Sequence, residues 1–175
     1  MDLAETLSKQ LYLYLPNILS LEERQQYTET ILRLKNEEKL TKESDTRYYR
    51  NSYGIASFPL FEDLLQKLTP IFKEKFRLAG LKPANSYCRI YSNGSILGRH
   101  LDRQGLDLSI SISLFSDLKD SWPLFLKTLD GKIAAFDIKP GDGVLLHGRR
   151  LEHWRESLVC DKDQKIVQLF LHWTY

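Results

Sequence analysis

Leu108-Ser109-Ile110-Ser111-Ile112-Ser113-Leu114 alternates apolar and hydroxyl-bearing side chains with period two. Successive side chains of a strand point to opposite faces. Leu108, Ile110, Ile112 and Leu114 therefore share one face, and Ser109, Ser111 and Ser113 the other. A single strand cannot bury its apolar face, and the surrounding sequence supplies partners. SYCRIYS (86–92) and ILGRHLD (96–102) precede it, joined by an Asn93-Gly94 turn. WPLFLKTL (122–129), KIAAFDI (132–138), DGVLLHG (142–148), LEHWRES (151–157) and KIVQLFLHW (165–173) follow. Asp130-Gly131 and Pro140-Gly141-Asp142 are tight turns between them.

Upstream of residue 85 the periodicity becomes helical. Ser20 and Glu23 form a capping box ahead of a run carrying Leu21, Tyr27, Ile31 and Leu34 at helical spacing. Pro59 opens a second amphipathic run with Leu64, Leu65, Leu68, Ile71, Phe72 and Phe76 on its apolar side. Pro70 is a kink position, and Gly80 is its expected C-terminal cap. The polar segment 39–57 reads as a long loop or an irregular strand. Two helices followed by about eight short strands predict a mostly β, α+β fold. The helices are expected on one side of a barrel or jelly roll. The expected organisation is one domain over 1–175, with helical support in 1–84 and the strand-rich core in 85–175.

Composition narrows the function classes. The chain has 175 residues, a formal net charge of +2 and 42% hydrophobic residues. A domain of this length buries roughly two thirds of its unfolded surface and needs no covalent staples. The weak net charge does not point to nucleic acid or a membrane. Cys88 and Cys160 form neither a disulfide framework nor a short metal-binding pair, and they read as reduced thiols. Asp2 and Glu5 stand where a signal peptide would be basic, and no apolar stretch is long enough to span a bilayer. The expected location is cytoplasmic.

His100-Leu101-Asp102 lies in a strand context, where residues two apart point the same way. An imidazole and a carboxylate can then share one metal. Two histidines with one carboxylate leave open coordination positions, the arrangement used by Fe(II) oxygenases. By itself the His-x-Asp spacing is weak, and an ion pair of Asp102 with Arg99 or Arg103 would also account for it. A third ligand must come from elsewhere.

GRHLDR, PGDGVLLHG, LEHW and a last strand ending in Trp together resemble the Fe(II)/2-oxoglutarate-dependent dioxygenase superfamily, nearest its prolyl-hydroxylase-like branch. The resemblance covers Tyr87 to Tyr175 and includes RIYSNGSILGRHLD (89–102). It implies an eight-stranded double-stranded β-helix, and Fe(II) held by His100, Asp102 and His153. It also implies O2 and 2-oxoglutarate as cosubstrates, ascorbate as reductant, and hydroxylation of a C–H bond with release of succinate and CO2. His153 follows the GRRLE turn and starts a strand, as the family pattern requires. His147 is instead read as a surface histidine and His172 as a half-buried one. Asp102 fills a position that is vacant in the related halogenases, which favours hydroxylation.

Tyr91 falls where the family has a tyrosine bonded to 2-oxoglutarate. The basic residue expected about ten positions after the second histidine is missing, because Asp163 stands there. Two candidates for the cosubstrate carboxylate remain. Arg155 shares the strand face of His153, and Lys165 begins the last strand. Ser109, Ser111 and Ser113 either leave room for a cofactor inside the fold or form an outer face. Trp122, Trp154 and Trp173 are core or pocket walls. Segment 45–53, dense in Tyr and Arg, either reaches over the cavity or is a solvated connection. Of the possible substrates, a peptidyl side chain such as proline comes first and a small free amino acid second. The RxNxxxR pattern of the nucleic-acid dealkylases is absent from IVQLFLHW. A non-catalytic, cupin-like metal-binding or interaction module is the alternative in a different class, and a zinc hydrolase on the same trio is a third.

Overall fold

The computed structural model describes residues 2–46 and 49–175. Among these are three helices, α1 (Leu3–Gln10), α2 (Leu21–Asn36) and α3 (Pro59–Lys75). Three strands lie in the N-terminal half: β1 (Tyr12–Leu15), β2 (Thr41–Lys42) and β3 (Ser52–Ala56). Eight more follow: β4 (Lys82–Ser92), β5 (Leu97–His100), β6 (Leu108–Ser116), β7 (Leu124–Lys127), β8 (Ile133–Phe136), β9 (Gly143–Leu146), β10 (His153–Arg155) and β11 (Lys165–Thr174).

The strands form two antiparallel sheets, a larger one ordered β1-β9-β6-β11-β4-β3-β2 and a smaller one ordered β5-β10-β7-β8. The eight strands from β4 to β11 match the expected set, with β4 starting at Lys82, and the fold is a jelly roll. The N-terminal half departs from its helical reading. β1 extends the larger sheet beyond β9, and β3 and β2 extend it beyond β4. Segment 39–57 is thus partly sheet, and a first short helix precedes it. Four-residue strands such as Tyr12–Leu15 carry too little period-two signal to stand out, and pairing with a partner strand decides them.

Both expected helices form, with differences at their ends and faces. The Ser20 hydroxyl accepts from the Glu23 amide at 3.1 Å, and the Glu23 carboxylate accepts from the Ser20 amide at 2.9 Å. Leu21, in the first turn, is exposed rather than part of the apolar face. α3 stops at Lys75, before Gly80, because Arg77 takes a left-handed conformation with φ 56°. Its buried side is Phe61, Leu64, Leu65, Leu68, Thr69 and Phe72, and Ile71 faces solvent.

α2 and α3 cover the outer face of the larger sheet. Leu108, Ile110, Ile112 and Leu114 of β6 and Leu169, Leu171 and Trp173 of β11 pack there with Ile31, Leu65 and Phe72. Each such fully buried side chain contributes about 1.5–3 kcal/mol. The Trp173 indole N–H donates to the Thr69 hydroxyl at 2.8 Å, pinning β11 to α3. With the apolar face of β6 under the helices, Ser109, Ser111 and Ser113 must face the space between the sheets, and all three are buried. No described helix is long and apolar enough to cross a membrane.

Candidate active site

β5 and β10 are neighbours in the smaller sheet, with His100 directly opposite His153. Both rings therefore leave the same face, with centroids 4.3 Å apart. Asp102 lies two residues past the end of β5. Its amide donates to the Gly148 carbonyl at 2.9 Å, tying this turn to the end of β9. One carboxylate oxygen, Oδ2, accepts from the Ser109 hydroxyl at 2.6 Å. The other, Oδ1, stands 3.6 Å from His100 Nε2 and 3.5 Å from His153 Nε2.

The second nitrogen of each ring sets its tautomer. His100 Nδ1 is 2.7 Å from the Gly98 carbonyl, and His153 Nδ1 is 3.0 Å from the Leu151 carbonyl. A carbonyl only accepts, so each Nδ1 carries the proton and each Nε2 presents a lone pair towards Asp102. The three ligand atoms lie within 4.8 Å of one another. Two nitrogen or oxygen ligands about 2.1 Å from one ion stand roughly 3–3.6 Å apart. The separations of Oδ1 from the two nitrogens match that. Burial would raise the Asp102 pKa, but the closeness of His100 and His153 and the hydrogen bond from the Ser109 hydroxyl outweigh it and hold the group well below the usual carboxylate range. The trio, two imidazoles and one carboxylate, could hold a metal ion.

The trio opens into a cavity of about 510 Å³ between the sheets. Ser109 and Ser111 of β6, Phe170 and His172 of β11 and Tyr87 and Arg89 of β4 line its larger-sheet side. Arg155, 1% exposed, lies two residues after His153 on β10 and is not among the residues that line this cavity. Its guanidinium lies 4.8 Å from the centre of the Trp122 ring, and Nη1 donates to the Trp122 carbonyl. Among the described residues, Nε and Nη2 have no hydrogen-bond partner, nor do the buried Tyr91 hydroxyl, Ser113 hydroxyl and Gln168 amide nitrogen. Burial pushes the Arg155 pKa down to about 10, which leaves it charged at neutral pH. The Tyr91 hydroxyl feels both Arg155 and Arg89 electrostatically. An unbalanced buried cation beside unpartnered donors is costly without an anion to receive them.

The other residues singled out from the sequence lie elsewhere. Lys165 sits at the outer end of β11, its ammonium 3.4 Å from Asp117. His147 stacks on Tyr175, with ring centroids 6.3 Å apart. Trp122 packs beside Tyr91, Trp154 stacks on Phe125, and Trp173 lies under α3. In segment 45–53, Arg47 and Tyr48 lie outside the described residues, and Tyr49 reaches the cavity.

Arg89 was not singled out. It is clamped between the Tyr49 and Tyr87 rings, at 3.7 and 4.1 Å, with Nε 3.0 Å from Glu43. The available signal was parity: Tyr87, Arg89 and Tyr91 alternate along SYCRIYS and share one face.

His172 also lines the cavity, with Nδ1 3.2 Å from the Asn85 carbonyl. Burial lowers its pKa to about 4. A histidine whose folded pKa is depressed is destabilising once the unfolded chain protonates. Stability is therefore lost as pH falls from about 6.5 towards 4, by up to about 3 kcal/mol. His172→Gln is expected to flatten this part of the stability profile, which urea melts at pH 7 and pH 4.5 would measure.

No family model and no curated protein sequence matches the chain. Solved structures do match by fold. A Pseudomonas putida prolyl-4-hydroxylase superposes with a TM-score of 0.81 at 14% identity, over 98% of this chain and 96% of that one. A prolyl hydroxylase from Trichoplax adhaerens, in complex with a peptide of the hypoxia-inducible factor oxygen degradation domain, gives 0.77 at 14%, over 99% and 88%. The non-haem α-ketoglutarate-dependent epimerase of nogalamycin biosynthesis gives 0.76 at 15%, over 98% and 81%. These likenesses establish a shared fold.

Proposed function

We propose that the protein is an Fe(II)- and 2-oxoglutarate-dependent oxygenase that hydroxylates a C–H bond. The observation that carries this reading is the pairing of two features that meet on β10, at His153 and at Arg155 two residues on. One is a trio of two imidazoles and one carboxylate that can share an ion, and the other is a buried arginine with two unpartnered N–H groups. The donor set suits Fe(II), because it leaves coordination positions for a bidentate oxoacid and for O2. The arginine suits a carboxylate carried on a short chain away from the metal. The relatives by fold point the same way, and one structure of the nogalamycin epimerase holds Fe3+ and α-ketoglutarate.

His100, Asp102 and His153 would hold the metal. Bound Fe(II) supplies the O2 chemistry, in which 2-oxoglutarate becomes succinate and CO2, taking one oxygen atom, and the substrate C–H becomes C–OH with the other. The Gly98 and Leu151 carbonyls keep both imidazoles in the ligating tautomer. The Ser109 hydroxyl fixes Oδ2 of Asp102 and so aims Oδ1 at the metal position. Arg155 and Tyr91 would receive the far carboxylate of 2-oxoglutarate, with Gln168 and Ser113 able to donate beside them. Lys165, already engaged with Asp117, is not assigned that role. The wall of Ser109 and Ser111 leaves room where larger side chains would fill the space.

The substrate reading is a peptidyl side chain such as proline, or a small amino acid. The peptide-bound prolyl hydroxylase relative supports the first. Cys88 and Cys160 are unpaired, which supports a reducing, cytoplasmic setting.

Incubation with Fe(II), ascorbate and 2-oxoglutarate is expected to release succinate slowly without added substrate. His100→Ala should abolish that release. Absence of succinate together with absence of 2-oxoglutarate binding would overturn the assignment.

A further inference from the structure

The cavity mouth carries a charge that the proposed chemistry leaves over. Arg103 lines the cavity and follows the ligand Asp102 directly. Its side chain is exposed and makes no ion pair or hydrogen bond among the described residues. Other arginines near the site are matched: Arg89 with Glu43, Arg99 with Glu152 and Arg149 with Asp107. Asp102 is the acidic residue among those lining the cavity.

On the reading above, Fe(II), Asp102, the 2-oxoglutarate dianion and Arg155 balance in charge. Arg89 and Glu43 cancel each other. Arg103 then leaves one uncompensated positive charge, and its field reaches inward as far as His172 on β11. A cleft with low-dielectric walls and one unmatched cation selects an anionic ligand. A single guanidinium answering a single excess charge fits a carboxylate better than a phosphate dianion. Leu101 and Leu106 also line the cavity on this stretch, which suits aliphatic carbon next to the acid group.

We propose that the substrate carries a carboxylate and that Arg103 binds it at the cavity mouth, setting the reacting C–H over the metal trio. The proposal rests on the oxygenase reading and names the substrate class of that site. Arg103 is a specificity-determining residue in this account. The carboxylate could belong to an N-acylated amino acid or to an acidic residue of a peptide.

The test uses substrate-stimulated succinate release. One panel is the N-acetylated aliphatic L-amino acids and N-acetylproline, each beside its carboxamide. The other is N-acetylated, C-amidated tripeptides with Asp or Glu next to proline, each beside its Asn or Gln counterpart. Members of one panel should stimulate release, and their neutral counterparts should not. For an active acid, Arg103→Ala should raise KM by about 10- to 100-fold while kcat changes less than threefold. Arg103→Lys should recover part of that loss, and Arg103→Glu none of it. The proposal is overturned if neutral counterparts stimulate as well as the acids. It is also overturned if Arg103→Glu leaves KM unchanged, or if no acid in either panel stimulates. Succinate formed without substrate would leave the oxygenase reading standing in each of those cases.

Discussion

Gly148→Ala is expected to weaken Fe(II) binding by about 100-fold, although residue 148 supplies no ligand. A Cβ at this position would stand 1.8 Å from Asp102 Oδ2 and 2.5 Å from its Cγ. The carboxylate cannot give way without losing the Ser109 hydroxyl at 2.6 Å, and its amide is held by the carbonyl of Gly148 itself. The displaced atom is part of the ligand that both imidazoles face. A metal titration of wild type and variant would read the loss, and a thermal melt would show that the metal-free variant still folds. An unchanged metal affinity would mean that Asp102 does not sit where a ligand must.

Arg155→Met is expected to raise the dissociation constant of 2-oxoglutarate by about 100-fold, from loss of a charge-assisted bidentate contact and of burial around it. The same substitution removes a buried charge whose Nε and Nη2 have no partner. It should therefore leave the metal-free protein as stable as before, or more stable by about 1–2 kcal/mol. A purely structural arginine would show the reverse: lower stability and unaltered cosubstrate affinity. Calorimetry gives the affinity and chemical denaturation the stability. Lys165→Met serves as the comparison and should leave 2-oxoglutarate binding within twofold of wild type.

Residues whose partners are near in sequence, or whose periodicity is strict, were the readable ones. LSISISL announced a strand with one apolar and one hydroxyl face, and the fold buries both, the first under the helices and the second between the sheets. His100 and Asp102 were readable as a pair from their spacing, although β5 ends at His100 and a turn tied to Gly148 places Asp102. Their meeting with His153 depends on β5 and β10 being neighbours across about fifty residues, which spacing cannot establish; it came through the resemblance. β1 and β3 were not readable, because short strands at the sheet's margins are stabilised by partners and not by their own pattern. Gly148 was hidden for a related reason. Its constraint is one close approach to Asp102, and its backbone conformation carries no glycine signature. Arg155 and Lys165 looked alike as basic residues on late strands, and only burial separates the guanidinium with two unpartnered N–H groups from the ammonium beside Asp117.

The most direct test of the central claim is an anaerobic calorimetric titration of 2-oxoglutarate into the protein, with and without Fe(II). The predicted result is stoichiometric binding that requires Fe(II) and disappears in Asp102→Ala. Binding of equal strength without metal, or unaltered in Asp102→Ala, would contradict a cosubstrate held on the iron of His100, Asp102 and His153.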